Sequence, residues 1–131
     1  MKNETKAWLV YAAENLTSAK ILLEQKLLNA CLQNIQQSVE KYLKAILVEK
    51  GHMLRKTHSI NELVLLLADL QLDLGIAEED CDLLDAVYLP TKYPLGGALP
   101  EFEPDIPLCR RCLEIAETVA NRAQEITKKI K

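Results

Sequence analysis

The segment Gln37-Ser38-Val39-Glu40-Lys41-Tyr42-Leu43-Lys44-Ala45 decides the fold class of this chain. Its apolar residues recur at steps of three and four, which is the spacing of one face of an α-helix. The pattern extends over residues 28–50, and Gly51 follows as a natural helix end, because glycine readily adopts the left-handed conformation found there. The segment therefore predicts a long amphipathic helix with Gln33, Gln37, Lys41 and Lys44 on a polar face. Its expected buried stripe comprises Cys31, Ile35, Val39, Tyr42 and Ile46.

Four further segments show helical periodicity. The predicted ranges are 4–25, 59–74, 78–89 and 105 almost to the end of the chain. Ser59 and Glu62 fit a capping box, in which each side chain bonds the other residue's backbone amide. Pro90 is expected to end the fourth helix, and Asp105 to cap the fifth. The chain is thus predicted to be all-α: an up-and-down antiparallel four-helix bundle with the short fourth helix as an addition.

The composition agrees with a single helical domain over residues 1–131. Apolar residues make up 49% of the chain and charged residues 27%, with only one Phe and one Trp, which is unlike a β-rich domain. The net charge of −3 argues against a generic nucleic-acid surface. The longest unbroken apolar run, residues 7–13, is far shorter than the roughly 20 residues of a membrane span. We therefore expect a cytoplasmic protein without a membrane partner.

The four cysteines are expected to be reduced thiols in the core. Cys109 and Cys112 form one Cys-x-x-Cys pair, but a zinc site needs about four ligands and the sequence has no second pair. Gly96-Gly97 lacks the lysine and following helix of a phosphate-binding loop. The sequence thus predicts neither a metal nor a cofactor.

Two sets of residues could bind a ligand, and each has a structural alternative. Lys41 and Lys44 share a helix face and could hold phosphate oxygens, or they could form a solvated face paired with Glu40. His58 could contact a base or a phosphate, or it could fix its own turn through a backbone hydrogen bond.

A second candidate lies beside a loop, residues 90–104, that is rich in proline and glycine. Tyr88, Lys92 and Tyr93 could bind a nucleotide by stacking and charge. Alternatively, the tyrosines pack on the bundle and Lys92 is solvent-exposed. Loop residues held on a rigid frame often carry function, so both interpretations remain open.

Four motifs together resemble the HEPN family, the "higher eukaryotes and prokaryotes nucleotide-binding" domain. They are the Trp8 helix, Gln37-x-x-Glu40-Lys41-x-x-Lys44-Ala45, Lys56-Thr57-His58-Ser59 and Tyr88-x-x-x-Lys92-Tyr93-Pro94. The resemblance implies an up-and-down helical bundle that forms a homodimer. It also implies a small nucleotidyltransferase partner in pairs that look like toxin–antitoxin systems. Many members are ribonucleases with an Arg-x(4–6)-His motif.

The chain departs from that ribonuclease motif. Lys92 stands where the resemblance leads us to expect arginine, and the positions expected to carry histidine hold Gly97, Ala98 and Leu99. Lysine does not reproduce the bidentate grip of a guanidinium on phosphate, and no histidine is positioned to transfer a proton. We therefore predict no catalytic residue.

The resulting hypothesis is a non-catalytic subunit that binds a nucleotide or a partner protein, with RNA as a further possible ligand, and acts with a minimal nucleotidyltransferase in a toxin–antitoxin-like pair. The predicted ligand-binding residues are Lys41, Lys44, His58 and Lys92 as an electropositive groove, with Tyr88 and Tyr93 as stacking walls. One alternative is a metal-independent ribonuclease toxin that uses Lys92 and His58. Another is a helical dimer or adaptor without a ligand.

Overall fold

The computed structural model describes residues 1–54, 56–92 and 103–129, and all of their side chains except those of 89–92 and 129. Within these ranges the chain forms five α-helices and no strand, which confirms the predicted all-α helical bundle. The helices are α1 (Asn3–Glu24), α2 (Leu28–Glu49), α3 (Ile60–Asp69), α4 (Glu78–Lys92) and α5 (Ile106–Lys129). No helix in the described ranges is both long and apolar enough to cross a membrane.

Helix α2 is the centre of the bundle, because it packs against each of the other four helices. The five residues predicted for its apolar stripe are all buried. However, every residue from Tyr42 to Glu49 is buried as well, so Lys44 does not lie on a solvated face. The expectation of a polar face at this position was wrong, because neighbouring helices cover α2 on several sides.

Helices α1 and α2 form an antiparallel hairpin. The side-chain amide of Asn15 donates to Asn34 Oδ1 at 2.9 Å, and the Thr5 hydroxyl donates to Glu49 Oε1 at 2.9 Å. Residues early in α1 therefore meet residues late in α2. Lys26, in the connecting turn, has a left-handed backbone with φ of 59°.

Helix α2 ends as the sequence predicted. Gly51 has φ of 77°, and its amide donates to the Val48 carbonyl at 2.9 Å. The next amide, of His52, donates to the Leu47 carbonyl at 2.9 Å. This pair of bonds is a Schellman motif, which satisfies carbonyls that the last helical turn leaves unpaired.

Helix α3 ends six residues before the predicted stop at Gly75. Gln71 adopts the left-handed conformation, with φ of 62°, and its amide donates to the Ala68 carbonyl. The Leu72 amide donates to the Leu67 carbonyl at 3.0 Å, which completes another Schellman motif. No local pattern predicts this end, because glutamine rarely takes positive φ. Helix α3, at 10 residues, is therefore shorter than the 15-residue α4, which was expected to be the short one.

Pro90 does not end α4, contrary to prediction, since the helix continues to Lys92. Proline removes one backbone donor from a helix, but its ring fixes φ near the helical value. The chain therefore remains helical for two residues beyond Pro90, although proline removes one hydrogen bond and crowds the carbonyl four residues earlier.

The predicted helix caps are present, one of them in a modified form. Ser59 Oγ accepts from the Glu62 amide at 3.2 Å, as in a capping box. The reciprocal bond, from the Ser59 amide to the Glu62 side chain, is indirect. Thr57 Oγ1 accepts from the Ser59 amide at 3.1 Å and donates to Glu62 Oε2 at 2.9 Å. At α5, Asp105 Oδ1 accepts from the Leu108 amide at 2.8 Å, which confirms the second cap.

Asp85, on α4, provides a further cap for α3. Its carboxylate accepts from the backbone amides of Ile60 at 2.7 Å and Asn61 at 3.1 Å, and from the Ser59 hydroxyl at 3.1 Å. A carboxylate at this position also complements the positive end of the helix dipole. Asp85 therefore fixes the start of α3, and with it the preceding turn, against α4.

We expect Asp85→Ala to lower the free energy of unfolding by about 1–3 kcal/mol, because it leaves helix-end amides without their acceptor. Urea titration followed by circular dichroism measures this loss. Asp82→Ala is the matched control, since Asp82 Oδ1 accepts an exposed hydrogen bond from the Asn61 side chain and caps no backbone amide among the described residues. Equal losses in the two variants would contradict the assigned role.

Glu49 joins the end of α2 to the start of α1. Its Oε1 accepts from the Lys2 amide at 3.0 Å and from the Thr5 hydroxyl at 2.9 Å. The hydrogen bond from the Lys2 amide is the main reason that the pKa of Glu49 is lowered, because it stabilises the ionised carboxylate.

The lowered pKa makes the Glu49 contribution to stability dependent on pH. It is present above the ordinary pKa of about 4.5 and is lost as the pH falls through the lower folded-state value. We expect wild type to be more stable than Glu49→Gln at pH 7 and the difference to shrink in acid. Thermal unfolding from about pH 7 to about pH 3 tests this, with Glu14→Gln, an exposed carboxylate on α1, as the control. A difference that is constant with pH would contradict it.

Candidate functional site

A buried carboxylate, Glu40, lies at the centre of the candidate site. Its side chain is 4% exposed, and its Oε2 accepts from Lys44 Nζ at 2.8 Å. Its Oε1 lies 2.9 Å from His58 Nδ1 and 3.5 Å from the Gln36 side-chain nitrogen, which donates to it. Because an ionised carboxylate only accepts hydrogen bonds, His58 Nδ1 must carry the proton. Glu40 therefore joins α2 to the turn before α3.

Lys44 lies one helical turn after Glu40 and is almost fully buried, with 9% of its side chain exposed. Its Nζ also lies 5.8 Å from the centroid of the Trp8 ring on α1, within the range of a cation–π interaction. The carboxylate and the ring together offset the cost of burying the ammonium group. The pairing with Glu40 that the sequence allowed is present, but it is buried instead of solvated.

His58 is held from three sides and still reaches solvent. The Gln36 side-chain nitrogen donates to the His58 carbonyl at 2.9 Å, and Glu40 holds Nδ1. The ring stacks on Tyr88 of α4, with centroids 5.4 Å apart and planes inclined by 26°. The His58 side chain is 57% exposed, whereas Tyr88 is 9% exposed. The imidazole is therefore an oriented surface group with a buried support.

The structure brings only some of the predicted site residues together. Lys44 and His58 contact Glu40, and Tyr88 stacks on His58. Lys41 is directed elsewhere, because its Nζ donates to Asn15 Oδ1 at 2.6 Å. Two further predicted residues lie at the edge of what the structure describes. Lys92 is the last residue of α4, without a described side chain, and Tyr93 lies outside the described residues.

Sequence reasoning missed the residues that organise this site. It assigned Glu40 only as a surface partner of Lys44, and it gave Gln36 no role. A signal was present: Gln36, Glu40 and Lys44 are spaced by four, so they form one polar line along α2. What the sequence did not show is that α1 and the His58 turn cover this line.

The cysteines are inert core residues, as predicted. Cys31, Cys81, Cys109 and Cys112 are all buried free thiols. Burial raises the pKa of Cys31 and Cys112 to about 12 and that of Cys81 to about 11. These thiols are protonated near neutral pH and are therefore poor nucleophiles. In the described ranges, no three His, Cys, Asp or Glu residues are grouped so as to hold a metal ion.

A family model of the HEPN domain matches residues 5–128. The chain belongs to the HEPN domain family. TT1696 from Thermus thermophilus is 27% identical, and the match covers 95% of this chain and 99% of that one, with a TM-score of 0.76. The archaeal HEPN homologue ST0689 is 23% identical over the full length of both chains, with a TM-score of 0.71, and supports the fold alone. No functionally curated protein matches this HEPN chain.

The buried ion pair of this HEPN domain can be tested by a double-mutant cycle. Glu40→Leu and Lys44→Met should each cost about 3–5 kcal/mol of unfolding free energy, since each leaves a buried charged group without its ion-pair partner. The double variant should be at least about 2 kcal/mol more stable than the sum of the single losses predicts.

The exposed pair Arg111 and Asp80 is the matched control for this cycle. Their atoms Nη2 and Oδ1 lie 2.6 Å apart, but the arginine side chain is 55% exposed, so its coupling energy should stay below about 1 kcal/mol. Additive losses at Glu40 and Lys44 would contradict the described pairing.

Proposed function

We propose that this HEPN protein is a non-catalytic subunit that binds a nucleotide at the surface formed by His58 and Tyr88. The observation that carries the proposal is the fixed, exposed imidazole, which is stacked on a buried tyrosine and hydrogen-bonded to a buried carboxylate. Aromatic rings that are held in place and open to solvent suit the binding of planar ligands. Lys44 contributes indirectly, because it balances the charge of the Glu40 carboxylate that holds His58.

We assign no catalytic step to this chain, for two chemical reasons. The full sequence lacks the Arg-x(4–6)-His motif at the position where the family resemblance leads us to expect it. Lys44 cannot easily leave Glu40 to stabilise a developing charge, because that would leave a buried carboxylate with less compensation. A group that is committed to structure is a poor transition-state ligand.

We further propose that the protein forms a homodimer and acts with a minimal nucleotidyltransferase, as in toxin–antitoxin pairs. Membership of the HEPN family supports this part of the proposal. In that arrangement the partner performs the chemistry, and this chain supplies a binding surface. Lys92, the last residue of α4, follows Tyr88 by one helical turn.

A thermal-shift titration with ATP and GTP tests nucleotide binding. We expect one of the nucleotides to raise the melting temperature of wild type, because binding to the folded state alone stabilises it. His58→Ala should lose most of this rise. His52→Ala is the matched control. His52 follows the C-terminal end of α2, away from Glu40, so this variant should keep the full rise. No rise with either nucleotide in wild type would overturn the proposal.

One observation favours a second candidate, the metal-independent ribonuclease. Hydrogen bonding of His58 Nδ1 to Glu40 resembles the carboxylate–histidine pairs that orient a general base. RNA cleavage by the purified protein, lost in both His58→Ala and Lys92→Ala, would support this candidate over the binding subunit. If neither nucleotide binding nor cleavage is observed, the structural dimer remains.

A further inference from the structure

We propose that the site recognises the ring of a nucleobase, stacked on His58, and gains little from the phosphates of the nucleotide. This inference rests on the proposed nucleotide-binding function and specifies which part of the ligand is bound. It differs from the sequence-based hypothesis, in which lysines formed an electropositive groove for phosphate.

The described lysines of the predicted groove are already engaged within the protein. Lys44 Nζ lies 2.8 Å from Glu40 Oε2, and its side chain is 9% exposed. The Glu40 carboxylate therefore balances the charge of Lys44. Moving the ammonium group to a phosphate would leave that buried carboxylate without its ion-pair partner. Lys41 Nζ donates to Asn15 Oδ1 at 2.6 Å, at the contact with α1. Neither ammonium group is arranged to hold a phosphate.

The imidazole, by contrast, is arranged as a platform. Tyr88 supports one face of the His58 ring, and Glu40 fixes the rotation of the ring through Nδ1. With 57% of its side chain exposed, the ring has surface available to a planar ligand, and we assign that contact to the side away from Tyr88. Because the ring is already ordered, stacking costs little side-chain entropy.

The order of the stack, with Tyr88 below, His58 in the middle and a base on top, defines the ligand class. Every nucleobase has a flat π-face, so such a platform tolerates different bases. Tyr88 is only 9% exposed and therefore supports His58 instead of contacting the ligand over a broad area. On this proposal the ligand is a nucleoside or nucleotide, and its affinity should depend on the ring and not on the number of phosphates.

Calorimetric titration with adenosine, AMP and ATP, and with the matching guanosine series, tests this inference at low and high salt. Within the series that binds, we expect dissociation constants that agree within about threefold and change less than about threefold with salt, because little charge is neutralised. A triphosphate that binds more than about tenfold tighter than its nucleoside, with the gain lost in high salt, would overturn the inference while nucleotide binding stands. Absence of binding by all six compounds would overturn both.

A matched pair of variants isolates the ring. His58→Phe and His58→Leu both remove the hydrogen bond to Glu40, but only the phenylalanine keeps an aromatic face. We expect the leucine variant to bind the nucleoside about tenfold or more weakly than the phenylalanine variant. Equal affinities in the two variants would overturn the inference. Melting temperatures of the two variants, measured without ligand, show whether both are folded.

Discussion

The shared carboxylate of Glu40 is the constraint on which the rest of the site depends. It is buried on the central helix and contacts an ammonium group on its own helix and an imidazole on the following turn. A buried charge with fewer partners would destabilise the fold, so Glu40 requires Lys44 and His58 to lie where they do. The same interaction thus sets the packing of α2 against Trp8 and the direction of the exposed histidine.

Helix α4 completes this arrangement from the other side. Asp85 caps α3 and holds the turn that carries His58, and Tyr88, nearly one helical turn later, supports the imidazole. Both contacts come from one helix, so a displacement of α4 would disturb the cap and the stack together. The exposed part of the site is small, but helices α2, α3 and α4 all contribute to its rigidity. Such preorganisation suits recognition of a planar ligand.

The sequence predicted the helices better than their surroundings. The span of α2 and its end at Gly51 follow from local periodicity and glycine chemistry, and the structure confirms both. The early end of α3 depends on Gln71 in a left-handed conformation, which no local pattern indicates. The burial of Lys44 was missed for a different reason. Its environment is created by α1 and by the His58 turn, which are distant in sequence, and helical spacing alone does not identify which face neighbouring helices will cover.

The most direct test of this account is the protonation of the His58 ring, measured by long-range proton–nitrogen NMR in labelled protein. The spectrum is best recorded at about pH 9, well above the ordinary pKa of imidazole. If Glu40 Oε1 accepts a hydrogen bond from His58, the neutral ring carries its proton on Nδ1. We expect that tautomer. A His58 ring with its proton on Nε2 would contradict the Glu40–His58 interaction, and with it the orientation of the proposed site.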